Sequence, residues 1–484
     1  MLNILQNVFG YTSFRPGQQE IVENLIKGRD VLAVMPTGAG KSICYQVPAL
    51  KMSGITIVIS PLISLMTDQV RNLIQCGVRG AYLNSTLTQK QYFKALDNAK
   101  KYTYKIIYVA PERLMTDSFL SFAKSVDISL IAIDEAHCIS QWGQDFRPSY
   151  LNIKDFISSL KKRPVVGAFT ATATDRVKKD IIKELELNDP YTVTTGYDRK
   201  NLYFDVRKPE IKMDEVLKIV RKHENESGII YCMSRKNVEE LNYMLNSKGF
   251  SSTRYHAGLD DEERTCNQNS FILGEKNIMV ATNAFGMGID KSDVRYVIHY
   301  NMPLSMEAYY QEAGRAGRDG KPAQCIMLYS PQDYRTNEFL INLVDENDAL
   351  SSEEKDDIKA KDMYKLDKIR AYALSKRCYR EYILNYFGER AKPDCKYCGN
   401  CIKAGRIKGY TPSEDRELYD RLKKITIEIA KHEHIPSYSV LNDAVLMDMA
   451  LKKPRTLEEM KKVEGMGSYK IKRYGEIYLR IIRE

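Results

Sequence analysis

The run Met35-Pro36-Thr37-Gly38-Ala39-Gly40-Lys41-Ser42 constrains this chain more than any other stretch. It follows the apolar segment 30–34, which reads as a buried strand, and precedes Ile43-Cys44-Tyr45-Gln46, which can open a helix. A strand feeding a helix through a glycine turn is the repeating unit of parallel α/β sheets. Gly38 and Gly40 let backbone N–H groups converge on one anion, and the helix dipole favours negative charge there. Thr37, Gly38, Ala39 and Gly40 would then cradle phosphates, Lys41 would reach the terminal ones, and Ser42 would meet a magnesium ion. The generic pattern calls for glycine where Met35 stands, so the preceding strand and Gly40-Lys41-Ser42 carry the reading.

At 484 residues the chain is too long for one core, and its length suggests about three domains. No apolar run approaches the ~20 residues of a membrane helix, and Met1-Leu2-Asn3 starts no signal peptide, so a cytoplasmic location is expected. Lysine and arginine number 73 against 63 acidic residues, a net charge of +10 that permits a polyanionic partner without requiring one.

Four further strand ends carry polar chemistry. Ser129–Ile133 delivers Asp134-Glu135-Ala136-His137, two adjacent acids suited to phosphoryl hydrolysis, with Asp134 holding magnesium through water and Glu135 deprotonating the attacking water. Strands at 55–59 and 106–109 end in Ser60-Pro61-Leu62 and Ala110-Pro111-Glu112, fit for capping helices or for a phosphate backbone. Phe169-Thr170-Ala171-Thr172 closes this half. Upstream, Tyr11 and Arg15 offer planes for a base and Gln18 an amide that matches the edge of adenine. After the acids, Gln141, Trp142, Phe146 and Arg147 form an aromatic and basic loop that could sense a stacked base and report it to the nucleotide.

The alternation of strand and helix restarts at Ser227–Arg235 and continues through Tyr255–Leu259 and Ile278–Thr282, predicting a second parallel sheet without its own phosphate loop. It carries 285–290 (FGMGID) and 311–320 (QEAGRAGRDG) instead. Gln311, Arg315 and Arg318 belong to the latter, and the two arginines, three apart, share a helix face from which one or both could reach the γ-phosphate.

FRPGQ, MPTGAGKS, DEAH, ISQWGQDFRP, FTATAT, GIIYCMSR, YHAGL, ATNAFGMGID and YYQEAGRAGRDG occur in one order over residues 9–320. In this the chain resembles the RecQ family of superfamily 2 DNA helicases. The resemblance implies two RecA-like α/β domains, adenine contacts from Gln18 and Tyr11, Glu135 as base, an arginine finger from Arg318 with Arg315, and His137 coupling nucleotide state to DNA. It also implies 3′ to 5′ movement on single-stranded and forked DNA, a role in recombination and repair with single-strand-binding or repair proteins as partners, and a nucleoid-associated monomer.

Cys378, Cys395, Cys398 and Cys401 read as a tetrahedral zinc site, three of them at x2 spacing on a turn and the fourth from a preceding helix. The family carries a zinc-binding helical platform here. Beyond it, Leu418, Leu422, Ile425 and Ile429 mark a helix of a small all-α tail resembling an HRDC domain, whose Gly465-Met466-Gly467 turn could bind a phosphate. Most bacterial members place a winged helix between these parts, and residues 402–416 leave no room for one. The expected domains are 1–196, 197–332, 333–403 and 413–484, with a linker at 404–412. Without the winged helix a second reading stands beside the helicase: a DNA-stimulated ATPase that translocates and strips complexes without processive unwinding.

Overall fold

The computed structural model describes residues 1–483 except 144, 286–290, 347–350, 405–415 and 436. Most of the 285–290 motif and of the expected linker therefore lies outside the described residues. The first sheet holds β1 (Val31–Val34), β2 (Ile55–Ile59), β3 (Gly80–Leu83), β4 (Ile106–Val109), β5 (Ile128–Ile133), β6 (Val165–Thr170) and β7 (Tyr191–Thr194), in the order β3-β4-β2-β5-β6-β1-β7. The second holds β8 (Leu202–Arg207), β9 (Ser227–Tyr231), β10 (Ser252–Tyr255), β11 (Ile278–Ala281), β12 (Val294–His299) and β13 (Ala323–Leu328), in the order β10-β11-β9-β12-β13-β8. Every pairing is parallel.

β1, β2 and β4 are buried along their whole length, which is why they read as unbroken apolar runs: helices cover both faces of a parallel sheet. β7 at the edge alternates half-buried and exposed residues and gave no such signal. The sheet order sets β6 between β1 and β5, so the loop after β1, the acids after β5 and Thr170 at the end of β6 meet at one carboxyl edge, where open α/β sheets bind ligands. Met35 keeps β1 paired one residue further, its N–H donating to the Thr170 carbonyl at 2.9 Å while its side chain is buried. A glycine there would forfeit that packing.

One apolar cluster runs from the first sheet through the second and into the cysteine module. Tyr197 stacks on Phe387 with centroids 4.5 Å apart, and Arg380 donates to the Arg199 carbonyl at 2.7 Å. The module consists of helices Ser352–Leu374, Tyr379–Tyr386 and Gly399–Lys403. The first of these opens on acidic residues, Glu353, Glu354, Asp356 and Asp357, and its N-terminal part is largely exposed. The tail, with helices Arg416–Glu433, Ser437–Val440, Asp443–Lys452, Leu457–Met460 and Ser468–Arg483, has a core of its own.

Candidate nucleotide site and cysteine centre

Gly38 and Gly40 have φ of 84° and 82°, so each takes the left-handed conformation the loop needs. A Cβ on Gly40 would lie 2.6 Å from Gln18 Nε2. The loop borders a cavity of about 600 Å³ lined from the first half by Tyr11, Arg15, Gln18, Thr37, Gly38, Gly40, Lys41, Ser42, Asp134 and Glu135. Gln311, Arg315 and Arg318 line it from the second half. Ala39 packs against the core beneath instead.

Lys41 Nζ stands 4.0 Å from Glu135 Oε1. Burial alone would raise the Glu135 carboxyl, but Lys41, His137, Arg315 and Arg318 hold it below its ordinary value. Asp134 goes the other way: burial, then the Glu135 charge, pushes it up to about 6. The Glu135 N–H donates to Asp134 Oδ1 at 3.0 Å, and Glu135 itself has φ 48°. A left-handed non-glycine residue at this point carries a backbone cost of about 1–3 kcal/mol, of the kind found at functional sites. Glu135 Oε2 is buried without a hydrogen-bond partner, an acceptor that suits a water molecule or a magnesium-bound water.

His137 is fully buried, and burial lowers its pKa, so the ring is neutral. Its Nδ1 lies 2.8 Å from Thr170 Oγ1, whose own proton goes to the Thr172 carbonyl. Nδ1 is therefore the donor to Thr170, and the same atom lies 3.4 Å from Glu135 Oε2 without hydrogen-bonding it, which sets the ring between the end of β6 and the acid.

The two halves meet at Arg199, which the sequence reading missed. Its guanidinium donates to the Thr37 carbonyl at 2.8 Å on the phosphate loop, and to those of Gly314, Ala316 and Gly317 at 3.2, 2.9 and 2.8 Å on the arginine turn. An arginine in an ordinary connector has no local signature; only the sheet packing reveals what it fastens. Arg318 lies over Gly38, its Cγ 3.5 Å from where a Cβ would stand. Arg315 is 4% exposed.

Gln18 Nε2 donates to the Ala39 and Gly40 carbonyls, both at 3.1 Å, and its Oε1 accepts from Arg15 N–H at 2.9 Å. Both amide hydrogens are spent on the loop, so Gln18 here braces the phosphate cradle rather than presenting an edge to a base. Arg15 also reaches the loop, at the Gly38 carbonyl, 2.7 Å.

The aromatic loop is held both from within the first half and from the long helix Ser352–Leu374. Trp142 lies under the Arg176 guanidinium, 3.3 Å from the ring centre, with Lys361 Nζ at 5.3 Å. Lys361 donates to Gln141 Oε1 at 3.0 Å and Lys365 to the Gly143 carbonyl at 3.1 Å, both from the long helix Ser352–Leu374. Arg147 pairs with Asp145 and donates to the Pro61 carbonyl at 3.0 Å, while Phe146 is half-buried.

The cysteine cluster passes a geometric test for zinc. Four thiolates at 2.3 Å from one ion in a tetrahedron lie about 3.8 Å apart. Cys378 and Cys398 Sγ are 3.8 Å apart, Cys395 and Cys401 4.0 Å, and all four fall within 4.8 Å. Cys378 caps the start of helix Tyr379–Tyr386 rather than ending the helix before it, and its sulfur accepts from the Glu381 N–H at 3.5 Å. All four ligands lie within the module, so the ion would hold its helices to one another, while Cys378, Cys398 and Cys401 pack that module into the large shared core. Cys398→Ser is expected to lose the zinc, measurable by elemental analysis. It should also lower the thermal midpoint sharply, since structural zinc contributes on the order of 10 kcal/mol to folding.

A phosphate loop and paired acids on one parallel sheet, facing arginines on a second across a cavity, define a nucleotide-driven motor of the two-sheet helicase class. Residues 15–181 match the DEAD/DEAH box helicase family and 211–320 the helicase conserved C-terminal domain. Residues 331–402 match the RecQ zinc-binding family, and 415–482 the HRDC domain. The chain is 35% identical to the ATP-dependent DNA helicase RecQ of Bacillus subtilis (strain 168), over 99% of this chain and 98% of that protein. Its identity to the protein of the same name from Pasteurella multocida (strain Pm70) is 33%, over 100% and 93%. The chain belongs to the RecQ family. The DEAD-box helicase Mss116, solved with ssRNA and UDP-BeF, shares the fold: TM-score 0.58, 17% identity, 78% of this chain and 87% of that one.

The alignment to the Bacillus protein runs to 587 positions against a chain of 484 residues, so at least 103 of its positions have no counterpart here. The zinc-binding and HRDC matches are separated only by residues 403–414. No helix among the described residues is long and apolar enough to cross a membrane.

Proposed function

We propose that the protein is an ATP-dependent helicase that moves 3′ to 5′ on single-stranded DNA and opens forked duplexes in recombination and repair, acting as a monomer. The carrying observation is one cavity built from both sheets, with Lys41 and Glu135 on one wall and Arg315 and Arg318 on the other. In this reading Lys41 binds the β- and γ-phosphates, Glu135 takes the proton of the attacking water, and Arg318 and Arg315 stabilise charge developing on the γ-phosphoryl group. Magnesium held through Ser42 and Asp134 would neutralise charge on the phosphate oxygens. Gln311 lies in the helix Met306–Ala313, and Arg315 and Arg318 follow it on a turn rather than sharing the helix face expected from their spacing. Gln311 therefore sits where it can relay the nucleotide state to the arginine turn. The sites close only when the halves approach, so binding and hydrolysis alternate two separations of the halves, and DNA grip alternates with them. Domain limits of 1–196, 197–332, 333–403 and 413–484 fit this division of labour.

The short spacing between the zinc and HRDC matches favours a second reading, translocation without processive unwinding. A forked duplex with a 3′ single-stranded tail separates the two. With ATP and Mg²⁺, strand separation by the parent and none by Lys41→Ala supports the helicase. DNA-stimulated hydrolysis without separation leaves the translocase.

A further inference from the structure

We propose that the C-terminal helical tail is a wall of the nucleotide cavity and docks across the cleft, so that tail docking and nucleotide affinity are linked. The inference rests on the nucleotide reading of that cavity. Asn442, Val445, Gly465 and Lys470 line it together with Tyr11 and Arg15.

The contact is backbone against backbone. The Gly465 N–H donates to the Gly10 carbonyl at 2.7 Å, so this part of the Gly465-Met466-Gly467 turn is occupied by the protein itself rather than left open for a DNA phosphate. A Cβ on Gly10 would come within 2.4 Å of the Met466 and Gly467 nitrogens, and one on Gly467 within 2.4 Å of the Val8 carbonyl oxygen. Two glycine turns pack where no side chain fits. Nearby, Ser439 Oγ donates to Asn72 Oδ1 at 2.9 Å, and Tyr474 Oη lies 3.0 Å from Gln75 Oε1.

The same tail also touches the second half. Lys423 Nζ pairs with Asp293 Oδ2 at 2.9 Å, and Lys321 Nζ lies 4.0 Å from the centre of the Tyr419 ring. A body fastened to both walls fits only one separation of them. At this separation Arg318 already lies over Gly38 and Arg199 reaches the Thr37 carbonyl, so nucleotide that draws the halves to it favours docking, and by reciprocity the docked tail raises nucleotide affinity by the same factor. The tail thereby slows nucleotide release and acts on the motor before any contact of its own with DNA.

The test uses the full chain and ADP with Mg²⁺. Gly467→Ala keeps an allowed backbone and wedges a methyl against the Val8 carbonyl; a second variant adds Lys423→Glu, which repels Asp293. Hydrogen exchange over residues 463–467 reads docking, and calorimetry reads ADP affinity. Faster exchange with affinity about tenfold weaker is expected. Faster exchange at parental affinity would overturn the inference. So would unchanged exchange in both variants, because the docked turn has no room for the methyl. A parent chain that binds ADP but separates no strands would sink the helicase reading and leave this linkage standing.

Discussion

Arg318→Ala is expected to lower the ATPase kcat about a thousandfold, near 4 kcal/mol of transition-state stabilisation, while ADP binding changes little. The reason lies in where Arg318 sits. Its stem crosses Gly38, and its charge is among those that hold Glu135 ionised from the opposite wall of the cavity. Charge on the transferring phosphoryl group grows only as the bond to the leaving group breaks, so an arginine aimed there acts on the transition state more than on bound substrate. Arg315 is more deeply enclosed and its charge also lowers the Glu135 carboxyl, so Arg315→Ala should also be slow. Single-turnover hydrolysis on single-stranded DNA checks both. A kcat within threefold of the parent for Arg318→Ala would remove it from the chemistry.

Glu135→Gln should reduce hydrolysis by a factor of about a thousand and leave ATP bound, because it deletes the base but keeps the shape. The accompanying pH behaviour distinguishes the two acids. Asp134 sits at about 6 because burial, and then the Glu135 charge, disfavour its ionised form. Between the ordinary carboxylate value and 6 the folded protein holds a proton that the unfolded chain has released. The stability this group contributes is therefore present at low pH and lost as pH rises through that window. Binding Mg²⁺ requires the ionised form, so Mg²⁺ affinity should fall about tenfold per pH unit below 6. In the parent, raising Mg²⁺ should move the acid limb of the rate to lower pH. In Glu135→Gln the Mg²⁺-binding curve itself should shift to lower pH, since one of the two causes is gone.

Both sheets, the cysteine cluster and the helical tail were legible because each leaves a local pattern: buried parallel strands as apolar runs, thiolates at fixed spacing, helix faces at three and four residues. β3, β7, β8, β12 and β13 passed unnoticed, since edge strands such as Gly80–Leu83 and Tyr191–Thr194 carry no unbroken apolar run and the others end in no conspicuous motif. The cavity-lining residues Lys41, Asp134, Glu135, Arg315 and Arg318 were readable from motif spacing. What sequence could not supply is partnership across hundreds of positions. Gln18 looks like a base-reading amide until its two hydrogens are found on the loop, and Lys361 and Lys365 look like solvated charges until the helix carries them to Gln141 and Gly143.

Arg199 biases this machine toward its closed form. Three of the carbonyls it holds belong to the arginine turn and one to the phosphate loop, so on opening it travels with the second half and releases a single bond. A hydrogen bond to a charged group is worth about 1.5–3 kcal/mol, roughly a ten- to hundredfold bias. That single bond favours the closed separation without locking it, so parting the walls depends on releasing the docked tail and the other contacts that span them rather than on freeing Arg199.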